Sequence, residues 1–345
     1  MPDFHSFKNA FLLIFFALFL GNCNNNPLDV DVSDIECDIS IYRMDQKLAD
    51  SKPDEIADLN KKWHKEYGDF YEIYLNIMLQ VGPVGDSITP IAMSRMLADP
   101  TIQMIHQDIK KEFGNIEWLE TELEEAFKHV KYYYPEVREP KFVAINSLFK
   151  NSVSFTDDVV AIGLERYLGP ENRVIKRIPS DEKGIFQYEK DRMIPEYISV
   201  DVMRGWFELT MMKPVTERDF LSHIIFQGKI MYALDAIFPL MEDRIKIRYT
   251  SDQLEWCEQS EASIWQFIVD KDLLHSTSRE KINDFTNEGP FTMGGLPRES
   301  PPRVGVWLGW KIVRAYMEEH PDLKLPDLIK EKNAWKILKS YKPPK

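Results

Sequence analysis

Residues 219–238 read DFLSHIIFQGKIMYALDAIF, and what this stretch forms decides the fold. Thr216 followed by Asp219 resembles a capping box with an acid at its third position, just ahead of the apolar run from Leu221. The run predicts a long helix, ended by Pro239. Downstream, apolar patterning predicts helices over Leu254–Leu274 and Val306–Glu319 and a shorter helical piece over Leu325–Leu338. Upstream, Val202–Met212 is a further helix, stopped near Pro214.

The middle of the chain reads differently. KFVAI at Lys141–Ile145 and VVAIGL at Val159–Leu164 are strand-like and flank Ser147–Phe155, an edge strand or turn. Gly169–Pro195, with Pro179, Gly184 and many charges, reads as a surface excursion with Tyr167, Tyr188 and Tyr197 as packing points. Ahead of the strands, Trp118, Leu119, Leu123, Phe127 and Val130 form one stripe of a helix over Ile116–Tyr133, and Pro135 ends it. Shorter helices are predicted over Ile91–Leu97 and Ile102–Phe113, and Asp45–Leu79 is mostly helical in pattern. The alternation of Val30, Val32, Ile35, Cys37, Ile39 and Ile41 predicts an early strand. Strands early and central, with most helices after them, favour an α+β fold. It is expected to be mostly helical with a small antiparallel or mixed sheet.

The chain has 345 residues, a formal net charge of −13 and 12% aromatic residues. That acidity and the lack of a basic stripe argue against nucleic acid as a partner. Lys8 precedes the run AFLLIFFALFL at Ala10–Leu20, which is too short to span a bilayer and has the dimensions of a signal peptide. Leu20, Gly21, Asn22 and Cys23 follow, resembling a lipobox, although Asn22 departs from the small residue usual before the cysteine. In this reading the Cys23 thiol takes a diacylglycerol and acyl chains such as palmitate, each buried CH₂ adding roughly 0.8 kcal/mol of membrane affinity. The expected organisation is a signal peptide over 1–22, a lipidated tether over 23–28 and a single soluble α+β domain over 29–345. The Asn24–Pro27 stretch reads as a flexible tether.

Motifs for chemistry are sparse. A zinc peptidase of the HExxH type needs two histidines on one helical face and a glutamate to activate water. Here His223 and Gln227 hold the two ligand positions and Ile224 stands where the glutamate belongs, so catalytic metal binding is not expected. There is no GxSxG, no phosphate loop and no CxxC. His64, His106, His129, His275 and His320 show no ligand spacing. Lys229, beside Gly228 in the central helix, is a candidate partner for a buried carboxylate. SPPRVGVWLGW at Ser300–Trp310 places Gly305 and Gly309 four apart beside Trp307 and Trp310, with Arg303 ahead of them. These five residues read either as a close-packing surface or as a groove for a partner peptide.

Other pieces carry a resemblance: Ile41–Arg43, Gly163–Gly169, Ile194–Tyr197, HIIFQGKIMYALD at His223–Asp235, Trp256 with Trp265, NEGPFT at Asn287–Thr292, SPPRVG, WLGW and the closing Ser340–Pro343. In that order, with the Cys23 start, the chain resembles the gliding motility lipoprotein GldB family of Bacteroidota. The resemblance implies a lipid-anchored protein of the bacterial cell envelope that supports gliding and the associated type IX secretion machinery. Its partners would be other envelope or motility proteins, and the membrane through its anchor. It also implies a distant likeness to zincin-type peptidases, with the helix after Asp219 as a degenerate active-site helix and His223, Gln227 and Lys229 as its relic site. The expected function is non-enzymatic, with no cofactor beyond the lipid on Cys23. The alternatives are a divergent metal-dependent peptidase or a peptide- or glycan-binding module.

Overall fold

The computed structural model describes residues 26–344. The signal-sequence reading and Cys23 lie outside them. Strand β1 (Ile41–Arg43) runs into helix α1 (Met44–Ala49), followed by α2 (Ile56–Ile73), which continues through a π-helical turn at Tyr74–Leu79. Helices α3 (Thr89–Leu97), α4 (Pro100–Glu112) and α5 (Glu117–Tyr133) lead to the central strands. These are β2 (Lys141–Ile145), β3 (Val153–Phe155) and β4 (Val159–Gly163). After the short α6 (Gln187–Lys190) come α7 (Ile198–Met211), α8 (Phe220–Ile237) and α9 (Asp243–Ile247). Helices α10 (Ser251–Gln259), α11 (Glu261–Asp270), α12 (Arg279–Thr286), α13 (Val304–Glu319), α14 (Leu325–Lys330) and α15 (Ala334–Leu338) complete the chain.

The sheet is mixed, in the order β1-β2-β4-β3, with β3 antiparallel to β4 and the other pairs parallel. Its two inner strands are buried on both faces, which is why they read as unbroken apolar runs rather than alternations. Phe142, Ala144, Val160 and Ile162 face the larger core, shared with α5, α7, α8 and α13. Val143, Ile145, Val159 and Ala161 face a second core built from Trp63, Tyr67, Phe70, Tyr71 and Tyr74 of the early helices.

The fold is the α+β, mostly helical arrangement expected, with corrections in detail. Only Ile41–Arg43 of the predicted early strand pairs, although Val32 and Ile39 ahead of it are buried. Thr216 bonds to Glu217, whereas Asp219 is the N-cap of α8, its carboxylate accepting from the Ser222 N–H at 2.9 Å. The predicted helix at Leu254–Leu274 is broken at Ser260, and Leu325–Leu338 is two short helices. The 169–195 excursion encloses a small apolar core of Ile175, Ile185 and Met193. Cys37 and Cys257 are both free thiols. The tether is not loose from Asn26 onward, because the Asn26 amide donates to the Pro239 carbonyl at 2.8 Å and Leu28 packs on the larger core.

Helix α8 is the centre of the molecule, with fourteen of its eighteen residues buried. It crosses α13 at Gly228 and Gly309. A Cβ on Gly309 would lie 2.6 Å from the Ile224 carbonyl carbon, and one on Gly228 2.8 Å from the Trp310 nitrogen. Beside the crossing, the buried Asp235 carboxylate accepts from Lys246 at 2.9 Å, from Trp310 Nε1 at 2.7 Å and from Arg314 at 2.7 Å through two nitrogens. Asp243 takes the other side of the Arg314 guanidinium, which also lies over the Trp310 ring at 3.8 Å. Each charge in this group has an opposite partner, the condition for burying it without a large penalty.

Candidate functional site

The residues singled out in the sequence do not form one site. His223 is half-buried on the first turns of α8. The Gln227 oxygen accepts from Arg204 Nη2 at 3.1 Å, which sets a guanidinium where a second metal ligand would stand. Among the described residues no three His, Cys, Asp or Glu side chains converge as a metal-binding group. Lys229 is buried, but its ammonium donates to the Glu331 backbone carbonyl rather than to a carboxylate. Burial brings its pKa down to about 8, against the pull of the nearby Glu331 carboxylate. Gly305, Trp307, Gly309 and Trp310 all lie inside the α8–α13 packing, with the two indoles each 1% exposed, so none of them presents a face to an outside partner.

Arg303 leads elsewhere. It is the N-cap of α13 and sits in the left-handed region at φ 59°. That strained backbone is held by Thr292, whose hydroxyl donates to the Pro301 carbonyl at 2.7 Å and accepts from the Val304 N–H at 3.1 Å. The same tie fixes the NEGPFT loop against SPPR and so brings Glu288 to Arg303, whose Nε lies 3.1 Å from Glu288 Oε1. Arg303 also donates to the Ile247 carbonyl. Next along that segment, Arg248 ends α9, again in the left-handed region at φ 59°. Its guanidinium pairs with Asp201 of α7 at 3.2 Å and covers the Tyr197 ring, while Tyr167 donates to the other Asp201 oxygen at 3.0 Å. Arg192, from the end of the excursion, pairs with Glu288.

Of these, Tyr167, Arg192, Asp201, Arg248 and Glu288 line a small cleft with Ser152, Arg166, Tyr188 and Glu189. Arg204 and Arg303 stand behind Glu288. Burial alone would raise the Glu288 carboxyl, but Arg303, Arg192, Arg248 and Arg204 hold it down at about 2. Burial next to Arg303 lowers Arg204 to about 10, against the neighbouring carboxylates of Glu288, Glu208 and Asp201. A carboxyl held so low by four arginines marks a region of positive potential in a chain of net charge −13.

The rim of the cleft is a second strained element. Leu148 and Phe149 are consecutive left-handed residues at φ 56° and 63°. Glu165, fully buried, holds this turn: one of its oxygens accepts from the Ser147 N–H at 2.9 Å, the Phe149 N–H at 3.0 Å and the Ser147 hydroxyl. Its other oxygen has no partner among the described residues. Burial pushes this carboxyl up to about 7 despite those donors, so the folded state keeps a proton that the unfolded chain, near 4.5, has released. Stability from this group is therefore greatest at low pH and falls as pH rises from about 4.5 to about 7. Glu165→Gln mimics the protonated form. It is expected to remove on the order of 2–3 kcal/mol of that decline. Urea unfolding of both proteins at pH 5 and pH 7.5 checks this. His106 and His129, lowered by burial, act oppositely in part of this window but are common to both proteins, so an unchanged difference between the two pH values would refute the assignment.

The chain matches the model of the family described as "Gliding motility protein GldB" over residues 25–343. It belongs to that family. No curated protein and no solved structure matches it. The GldB match spans both cores, the α8–α13 crossing and the arginine cleft together. No helix among the described residues is long and apolar enough to cross a membrane.

Sequence reading singled out Arg303 but missed Arg192, Arg204, Arg248, Asp201 and Glu288. They come from four separate segments, only Asp201 and Arg204 sharing one, the helix α7. The one local signal was NEGPFT, whose Glu288 sits in a polar turn; nothing in it points to its arginine partners.

Proposed function

We propose that this GldB family member is a lipid-anchored protein of the bacterial cell envelope, held by acylated Cys23. In this reading it supports gliding and the associated type IX secretion machinery by contacting other envelope proteins, without catalysing a reaction. The family match over nearly the whole chain carries the reading. The engagement of Gln227 by Arg204 supports a non-catalytic α8, since a zincin-like helix in this state is degenerate at the ligand positions. The arginine cleft is the proposed contact site, because it is the polar concavity at which buried charge, strained backbone and unpaired donors coincide. It equally favours the second reading, a module that binds a peptide or glycan.

The test is colony spreading of a deletion strain of the native host, complemented with the wild-type gene or with His223→Ala at equal protein abundance. The expected result is loss of spreading on deletion and full rescue by both genes. Normal spreading of the deletion strain would end the motility reading. Failure of His223→Ala at normal abundance would instead place a working site on α8 and call for metal analysis.

A further inference from the structure

Several guanidinium nitrogens in the cleft or just behind it are buried and make no hydrogen bond among the described residues: Arg166 Nε and Arg248 Nε in its lining, and Arg303 Nε and Nη1 behind Glu288. Arg303 is 1% exposed, and its Nε makes only the 3.1 Å ion-pair contact with Glu288, without an aligned hydrogen bond. Unpaired buried donors are uncommon in folded proteins and costly where they occur. Three arginines left short in one place therefore call for an acceptor. Arginine forks match planar and tetrahedral oxyanions, which they hold through paired, charge-assisted bonds.

The cleft sets the size of that acceptor. Its volume is about 90 Å³. A single water needs about 10–15 Å³ of such space, so the cleft has room for a small polyatomic ion or for the anionic end of a larger molecule. One carboxylate already reaches in. Glu288, from the NEGPFT loop, bridges Arg192 and Arg303 while its side chain stays 39% exposed, so it can turn out to solvent without unfolding a core.

We propose that the cleft is an oxyanion pocket that takes a single carboxylate or phosphate group of an envelope component, displacing Glu288 from Arg192 and Arg303. The proposal rests on the cleft being the contact site, but its chemistry can be measured without the cell. Arg248 and Arg166 supply the fixed donors. Arg248 is oriented by Asp201 and Tyr197, and Arg166 is held at the Leu148–Phe149 turn by its 3.4 Å bond to the Phe149 carbonyl. The cation excess that holds Glu288 ionised would act on any anion that replaced it.

Calorimetric titration of the purified full-length protein in non-ionic detergent, at constant ionic strength, with inorganic phosphate and separately with acetate, tests this. Saturable binding of at least one anion is expected. Glu288→Gln removes the internal competitor and should tighten it about tenfold. Arg248→Gln and Arg166→Gln should each weaken it about tenfold or more. Thermal unfolding reports whether each variant is folded, and Arg166→Gln carries the loss arm if Arg248→Gln is not. Preference for phosphate would point to a phosphorylated group, and preference for acetate to a peptide or cell-wall carboxylate; either supports the pocket. No saturable binding of either anion to wild type or Glu288→Gln, or Glu288→Gln binding no more tightly than wild type, would overturn it. Binding with the expected pattern, but normal spreading of an Arg166→Gln strain, would leave the pocket standing and remove it from the proposed function.

Discussion

Asp235→Ala is expected to cost roughly 3–5 kcal/mol of unfolding free energy, the range for removing one partner from a buried ion pair. The carboxylate is 4% exposed and is the common acceptor for Lys246, Trp310 and Arg314. Without it, Lys246 and Arg314 share only Asp243, which is partly open to solvent, and the Trp310 N–H has no acceptor. Asp235→Asn keeps the shape but not the charge and should lose most of the same energy. Urea midpoints at unchanged slope measure both. As a comparison, Arg173→Ala breaks a pair to Asp108 in which the arginine is half exposed, and should cost under about 1 kcal/mol. A loss at Asp235 as small as that at Arg173 would mean that the network is solvated and is not the clamp between α8, α9 and α13 that its distances describe.

Gly309→Ala is expected to do comparable damage with a single methyl group. Overpacking usually costs about 1–3 kcal/mol because neighbouring side chains give way. Here the neighbour is the backbone of Ile224, 2.6 Å from the added carbon, in the middle of the most buried helix. The α8–α13 pair has to separate, and Trp307 and Trp310 must move with it. A loss of about 3 kcal/mol or more, or failure to accumulate folded protein, is expected. Gly85→Ala, where an added Cβ meets nothing within 4 Å, should stay within about 0.5 kcal/mol of wild type. Chemical denaturation of the three proteins side by side decides it; a Gly309→Ala protein as stable as Gly85→Ala would refute the close crossing.

How much of this was legible beforehand follows from the range of each interaction. Strands β2 and β4 were found to within a residue because burial on both faces leaves an uninterrupted apolar run. Helix α8 was found because its apolar run is bracketed by a cap and Pro239, although the cap is Asp219 itself and not Thr216. The break at Ser260 was missed because the apolar pattern continues across it. The early alternation was over-read as a strand: Val32 and Ile39 turn inward from irregular backbone, so burial alternates without a partner strand. At the site the limit is more severe. Arg204 meets Gln227 across 23 residues, and Arg192 meets Glu288 across 96. Charge pairing over such separations leaves no spacing in the chain, and only the local anomalies, such as a left-handed arginine ahead of a helix, belong to one segment.

The bond from Asn26 to the Pro239 carbonyl has a mechanical meaning for an acylated Cys23. Only three residue steps separate Cys23 from Asn26. At about 3.3–3.6 Å per step, the leash would be no longer than about 11 Å. A body held on so short a leash could not fish through the surrounding space for distant partners. With that anchor it would stand close to the bilayer, with the Pro239 corner, where Leu240 is 70% exposed, turned toward it. Partners would then have to come to that height, and the membrane itself would act as the ruler that selects which envelope components this domain could meet.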